Sequence, residues 1–441
     1  MQTFAIVWVP PLRNREETDE AMRAVDFADA HSAIDDMGNF ANLANTGWHH
    51  DAVYETFSDA EYRRRFEAVH ARMDSLGLDA LIVGGGPSHW SSGGGMLWLT
   101  GHWEWHGLAC YVLVPRRGEP VLVYPMGGSH LESVRLVSWV DDVRPSGGGR
   151  FGRVLADAIV EKHLDRGRIG HPPIDPRHGD YMPLNQFRDL ETALPDAEIV
   201  LIDDIFHELF LVKSPEELDC VRTAGGLCAD AFGAMVERAR PGATEEDLRA
   251  AAAGAIYEGG GDVDFLIIGS TSTYDPHLIF GSPRPSRRRL QDGDIVLNEL
   301  AAGYRGYTAQ IGMPVFVGEP EESARRFFEE ITLPGFLRMS EELEPGKSMK
   351  DVERAGRFFR ENGYQSRPIH LHGIDLVTGP PHVFVGDAPD EVIRPGQVLM
   401  LEPNPIRADG NLGMFFGHTY IVTETGAERI THYPLDIVVT G

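Results

Sequence analysis

The spacing of apolar and polar positions changes several times along the chain, and each change marks an element. From Ser58 the stretch SDAEYRRRFEAVHARMDSLG has helical spacing, with Ser58 as the capping residue and Gly77 as the stop. The short apolar run LDALIVGGG then predicts a buried strand. CYVLVP and EPVLVYP flank the turn residues RRG and predict a hairpin. RIGH and AEIVLID add two short strands, with helical stretches between. Strands alternating with helices to about residue 205 predict an α/β N-terminal domain over 56–205.

A second pattern begins at KSPEELDCVRTAGGLCADAFGAMVERA. Ser214 is its N-cap, Pro215 fills the first helical position, and Glu217 completes a capping box. The helix ends at Arg240-Pro241-Gly242, and ATEEDLRAAAAGAIYEGG repeats the design with Thr244 as cap. Apolar runs follow in FLIIGS, DIVLNELAAGYRGYTAQIGMPVF, VLMLEPN and YIVTE. Two long helices and then paired strands predict an α+β domain over 206–441, a curved antiparallel sheet with helices covering one face. Residues 1–55 are rich in Asp, Asn and His without a period, and read as an N-terminal extension.

Composition narrows the classes of function. The 441 residues carry 40 Lys and Arg against 67 Asp and Glu, a formal charge of −27. Such a surface repels phosphate backbones and anionic lipid, so neither nucleic acid nor membrane is expected as a partner. No apolar run has the length of a transmembrane span, and the N-terminus lacks the basic start and cleavage site of a signal peptide. Cys110, Cys220 and Cys228 form no CxxC pair and read as buried small hydrophobes, which places the chain in a reducing cytoplasm. The GGG runs at 84–86, 93–95 and 147–149 are turns rather than a dinucleotide fingerprint, and no Walker, HExxH or GxSxG motif occurs.

Four places combine a strand end with a group that can move protons or charge. His277 follows a buried strand and a Ser/Thr loop in IIGSTSTYDPHLIF, and an imidazole of near-neutral pKa is the commonest general acid or base. Glu299 lies inside the apolar run of DIVLNELAAGYRGYTAQ, where a carboxylate is costly unless paired or used. The bland alternative is a solvent-facing Glu299 paired with Arg305. His370 and His372 alternate in RPIHLHGIDL, so only one of them faces a given cleft, and Asp375 could orient a neighbour. Glu402 ends the apolar strand of VLMLEPNP, and FFGHTYIV puts His418 on another strand. The arginines 284 and 287–289 read as a solvated turn, any one of which could bind a carboxylate.

Together LVKSPEELDCVRTA, RPGATEEDLRA, IIGSTSTYDPHLIF, LQDGDIVLNELAAGYRGY, HLHGID, GQVLMLEPNP and TYIVTETGAERIT resemble the creatinase/aminopeptidase P superfamily, whose fold is called pita-bread. The resemblance covers roughly 60–440. It implies a two-metal centre held by two Asp, one His and two Glu. Here those places fall on Glu299, Gln310, His372, Glu402 and Gly417, so two ligands are kept, one is altered and two are gone. A pair of divalent ions needs several anionic ligands, so the expectation is no metal and no cofactor. What then follows is a metal-independent, creatinase-like hydrolase of an amidine, urea or amide C–N bond in a small molecule. The resemblance makes His277 the general acid/base, with Glu299, His372 and Glu402 as the other catalytic groups. Substrate binding falls to Trp103, Trp105, His106, Tyr307, Gln310, Asp375 and His418. The loop LTGHWEWHG belongs to the neighbouring subunit in such proteins, which implies a homodimer. Alternatives are a lyase acting on a small cationic substrate, a metal-dependent Xaa-Pro peptidase, and a non-catalytic binding protein.

Overall fold

A computed structural model describes residues 54–85, 94–102, 110–126, 129–174, 179–374, 376 and 378–441. Nearly all of the expected extension 1–55 lies outside these residues, as do Trp103, Trp105, His106 and Asp375. Among the described residues no helix is long and apolar enough to cross a membrane.

The first half runs α1 (Asp59–Leu76), β1 (Ala80–Gly85), α2 (Gly95–Thr100), β2 (Cys110–Pro115), β3 (Val121–Tyr124), α3 (Ser129–Val137), β4 (Asp142–Pro145), α4 (Phe151–Glu161), β5 (Arg168–His171), α5 (Leu184–Ala193) and β6 (Glu198–Leu201). The six strands form one mixed sheet in the order β4-β3-β2-β1-β5-β6. β2 pairs antiparallel with both β1 and β3, as the RRG turn predicts, and β1–β5, β5–β6 and β3–β4 are parallel. The Ser58 side chain caps α1 by accepting from the Glu61 N–H, and Gly77 ends it in a left-handed conformation (φ 62°) that a glycine adopts without strain.

The second half begins with α6 (His207–Leu211), α7 (Pro215–Arg238) and α8 (Glu245–Glu258), then β7 (Asp262–Ser272), β8 (Asp294–Tyr304), β9 (Tyr307–Gly312) and β10 (Val315–Val317). After α9 (Glu322–Arg326), a π-helical turn over Phe327–Thr332, α10 (Leu333–Ser340) and α11 (Met349–Glu361) come the last strands. These are β11 (Gln365–Ser366), β12 (Ile369–Ile374), β13 (Thr378–Phe384), β14 (Val398–Leu401), β15 (Pro405–Ile406), β16 (Gly417–Val422), β17 (Ala427–Arg429) and β18 (Val438–Thr440). Ten strands make the main sheet, ordered β13-β12-β14-β16-β9-β8-β10-β18 with β7 beside β8 and β17 beside β16. All of its pairings are antiparallel except β10–β18. Capping boxes at Ser214 and Thr244 start α7 and α8, and α7 packs on β8 and β9. The Cys228 thiol donates to the Ala309 carbonyl at 3.0 Å on that helix-covered face.

The two halves are joined by a buried ionic hub. Glu217 closes the α7 capping box through Oε2 at 2.6 Å from the Ser214 N–H. Its Oε1 accepts from Trp98 Nε1 at 2.7 Å and from the Tyr307 hydroxyl at 2.7 Å. Arg65, 1% exposed, lies 3.6 Å from that carboxylate and donates to Glu61 Oε1 at 2.7 Å and the Trp98 carbonyl at 2.7 Å. One carboxylate thereby ties α1, α2 and β9 to the start of α7. Removing Glu217 leaves Arg65 paired with Glu61 but orphans the buried Trp98 and Tyr307 donors, each costing about 1–3 kcal/mol. Glu217→Ala is expected to lower the urea midpoint by that equivalent. Glu208→Gln, whose pair with Arg72 is exposed, should stay within about 0.5 kcal/mol. Equal effects of the two substitutions would refute the hub.

Candidate active site

Directly opposed residues of an antiparallel pair share a face, and neighbours along a strand take opposite faces. Ala301 opposes Gln310, so Glu299, two positions before Ala301, lies on the face of Gln310. Gly312 opposes Gly417, which adds Thr419 to that face. Thr419 opposes Met400, Met400 opposes His372, and His372 opposes His382. Glu402 follows two positions after Met400, its N–H bonded to the His370 carbonyl at 2.8 Å. The pairings gather Glu299, Gln310, His372 and Glu402 on one face from four strands that are distant in sequence.

All four are buried: Gln310 is 0% exposed, His372 3%, Glu299 7% and Glu402 9%. The bland alternative for Glu299, a solvent-facing pair with Arg305, does not hold. His372 Nε2 stands 3.6 Å from Glu402 Oε2, and its Nδ1 donates to the Gly373 carbonyl at 3.0 Å. Burial works to lower the His372 pKa, but the charge of Glu402, its hydrogen bond and the Gly373 carbonyl outweigh it and hold the imidazole above its usual 6.5. Burial, and then the negative charge of Glu402, push the Glu299 carboxyl well above its usual 4.5, with the Arg367 guanidinium opposing. A carboxyl that keeps its proton beside a second carboxyl group can act as a proton donor in the site. The Gln310 side-chain amide has neither polar atom bonded to the protein. That leaves a buried donor and acceptor available to a bound molecule.

Two expected binding residues fall on the other face. His418 opposes Ile311, not Gln310. Its Nδ1 meets the Thr431 hydroxyl at 2.8 Å, its ring packs on Phe336 and Phe416, and burial depresses its pKa well below the usual value. Tyr307 points the same way, into the Glu217 hub. Both are corrected to structural roles. His370 faces the helices, against Phe359; two positions from His372, it would share that face in a regular strand, and the register shift between Ile369 and Leu371 is what turns it away. It bonds Ser366 Oγ at 3.0 Å, and burial lowers its pKa to about 4.

His277 is exposed on the loop after β7, with Nδ1 3.1 Å from the Asp275 carbonyl and its N–H bonded to Thr271 Oγ1 at 3.2 Å. The loop is held against the segment after Glu402. Asn404 Nδ2 donates to the Ile279 carbonyl at 3.1 Å, the Gly413 N–H to the Leu278 carbonyl at 3.1 Å, and Phe280 meets Phe415 edge-on at 5.3 Å. Arg367 stacks over Phe280 with Cζ 3.7 Å from the ring centre. Met400, Phe415, Arg367 and His382 were not found from sequence. Only strand register identifies the first and last, and the register slips at a bulge between His372 and Gly373.

A pair of metal ions does not fit these side chains. A Cβ on Gly417 would lie 2.5 Å from Met400 Cε and 3.1 Å from the Phe415 ring, so that ligand place is filled by apolar atoms. Gln310 offers a neutral amide where a charged ligand is needed. Among the described residues no three His, Cys, Asp or Glu side chains are grouped to hold a metal ion.

Residues 219–424 match the family described as Metallopeptidase family M24, and 65–209 match the Creatinase/Prolidase N-terminal domain. The chain is 28% identical over 398 residues to the probable dipeptidase PepE of Mycobacterium tuberculosis (strain ATCC 25618 / H37Rv), covering 86% of this chain and 97% of that protein. It is 28% identical over 241 residues to the Xaa-Pro dipeptidase of Pyrococcus furiosus, 53% of this chain and 67% of that protein. The fold is similar to that of an X-Pro aminopeptidase from Thermotoga maritima MSB8, with TM-score 0.70 and 22% identity over 85% of this chain and 99% of that one. These likenesses correct the expectation of a creatinase-like hydrolase acting on a non-peptide C–N bond, because the two relatives just given are named dipeptidases. The label metal-independent is corrected with it: the matching family is described by its metal, and the side chains here argue only against a pair of ions.

The raised pKa values give a signed prediction. In the folded state Glu299 and His372 keep their protons to higher pH than in the unfolded chain. Stability therefore falls as pH rises from about 4.5 through the folded values. Glu299→Gln removes the larger part of this slope, so thermal unfolding between pH 5 and 8 should become flatter and the variant more stable than the parent at pH 8. An unchanged slope would contradict a protonated Glu299.

Proposed function

We propose, from the premise that this chain belongs to the creatinase/aminopeptidase P (pita-bread) superfamily, that it is a peptidase hydrolysing the peptide bond of dipeptides and other short peptides. The observation that carries this reading is the buried face on which Glu299, Gln310, His372 and Glu402 meet, in a chain whose curated relatives include proteins named dipeptidase and Xaa-Pro dipeptidase.

The residues divide the work as follows. Glu402 takes a proton from a water molecule, whose oxygen attacks the carbonyl carbon of the scissile bond. Protonated Glu299 donates to the carbonyl oxygen, a bond that strengthens as that oxygen gains negative charge. His372, protonated and facing Glu402, fixes the carboxylate. The Gln310 amide bonds the peptide backbone on either side. When the C–N bond breaks, the departing amine needs a proton, and His277 supplies it. With Nδ1 donating to the Asp275 carbonyl, Nε2 is the nitrogen that exchanges protons. The small-molecule partner is thus a short peptide. The proposal includes a homodimer, read by sedimentation equilibrium.

A panel of dipeptides, Xaa-Pro among them, assayed for released amino acids with and without added Mn²⁺, is the direct test. Parent protein should release both amino acids. Glu402→Gln should lose roughly 10² to 10⁴ in kcat and His277→Ala about 10², while His418→Phe should stay within about threefold. Release of no amino acid from any peptide, with or without the ion, would overturn the assignment.

A further inference from the structure

At the far end of the same sheet a cleft of about 510 Å³ opens between the two halves of the molecule, lined by Phe57, Tyr62, Tyr124, Val134, Asp262 and Arg305 among others. Its size is that of a small-ligand site. It lies away from the reacting groups. Asp262 opposes Gly303, four positions along β8 from Glu299, about 14 Å at strand rise, and a dipeptide is about half that length.

Two charged groups in this cleft have unmet needs. Arg305 and Gly306 form the two-residue turn between β8 and β9, with Tyr304 opposing Tyr307. Both turn residues have positive φ, 51° and 88°. Such a turn favours Asn, Asp or Gly at its first position, and an arginine there is strained. The guanidinium lies 4.1 Å over the Phe57 ring. Among the described residues it bonds no protein acceptor, so its planar fork of donors is open to a carboxylate. Asp262, at the start of β7 beside that turn, is half-buried and likewise bonds no protein donor among the described residues. Its pKa is raised by burial alone, with no neighbouring cation to offset it. The other nearby carboxylate, Glu55, already accepts from the Tyr304 hydroxyl at 2.6 Å. A strained cation and an uncompensated anion lining one cleft, together with aromatic and aliphatic side chains, complement a ligand carrying one carboxylate, one ammonium and an apolar side chain.

We infer that this cleft is a second binding site, separate from the catalytic face, for a free zwitterionic α-amino acid, whose carboxylate pairs with Arg305 and whose ammonium pairs with Asp262. The site bridges α1, α3 and the β8–β9 turn, so its occupant holds the two halves together.

Isothermal titration calorimetry of the full chain with L-leucine and L-phenylalanine, each compared with its N-acetyl and amide derivatives, tests this. The free amino acids should bind, and each derivative should bind at least roughly tenfold more weakly. Asp262→Asn and Arg305→Gly should abolish binding, whereas Glu402→Gln should leave it unchanged. Arg305→Gly also keeps the fold assessable: glycine suits the turn, so without ligand this variant should unfold at a higher temperature than the parent. No binding would overturn the inference. So would binding that survives Asp262→Asn and Arg305→Gly, or binding lost in Glu402→Gln, which would place the amino acid on the catalytic face.

Discussion

The register of five antiparallel strands decides what this protein can do. β8, β9, β16, β14 and β12 pair so that one opposed residue after another falls on the same side: Ala301 with Gln310, Thr419 with Met400, Met400 with His372. Side chains alternate with a period of two, so a slip of one residue at any pairing would send the rest of the set to the helix side. Antiparallel ladders buried on one face by α7 have little freedom to slip, because Leu300, Ala309 and Ile311 are fully buried on the helix side.

Once this face exists, its charges follow from burial. Glu299 and Glu402 are taken from water together, with His372 and Arg367 as the cations that act on them. Two neighbouring buried carboxylates cannot both stay ionised at low cost, so one holds its proton and becomes a donor. Met400 and Phe415 fill the place of a missing side chain at Gly417. The face is therefore an acid, a base, an imidazole and an unbonded amide, a set suited to splitting a polarised C–N bond. The Glu217 hub sets the first domain against the far end of the same sheet, beside the cleft that holds Arg305 and Asp262.

Local signals were legible in the sequence wherever a short-range rule governs. Ser58, Gly77, Ser214, Glu217 and Thr244 cap or end the helices they were expected to, because capping depends on residues within one turn. His370 and His372 do take opposite faces, but strand alternation is not the reason: residues two apart share a face, and a register shift between Ile369 and Leu371 separates them. Absolute facing was not legible. His418 stands next to the ligand place at Gly417, and only the pairing with Ile311 shows that it turns away. Tyr307 lies near Gln310 in sequence yet belongs to the other side. Glu217 could be read as a capping residue, but its contacts with Trp98 and Tyr307 join segments more than eighty residues apart. The chemistry first expected was misjudged for a related reason: the loss of metal ligands was taken to decide the substrate, which it does not.

The central claim is that Glu299 and Glu402 act as one unit on this face while His418 does not. A kinetic double-mutant cycle on kcat/KM for a dipeptide measures it directly. Glu299→Gln combined with Glu402→Gln should lose no more than the worse single variant, with a coupling of at least about 1 kcal/mol. Glu402→Gln combined with His418→Phe should be additive within about 0.5 kcal/mol. Additivity between the two carboxyls, or strong coupling to His418, would contradict the account.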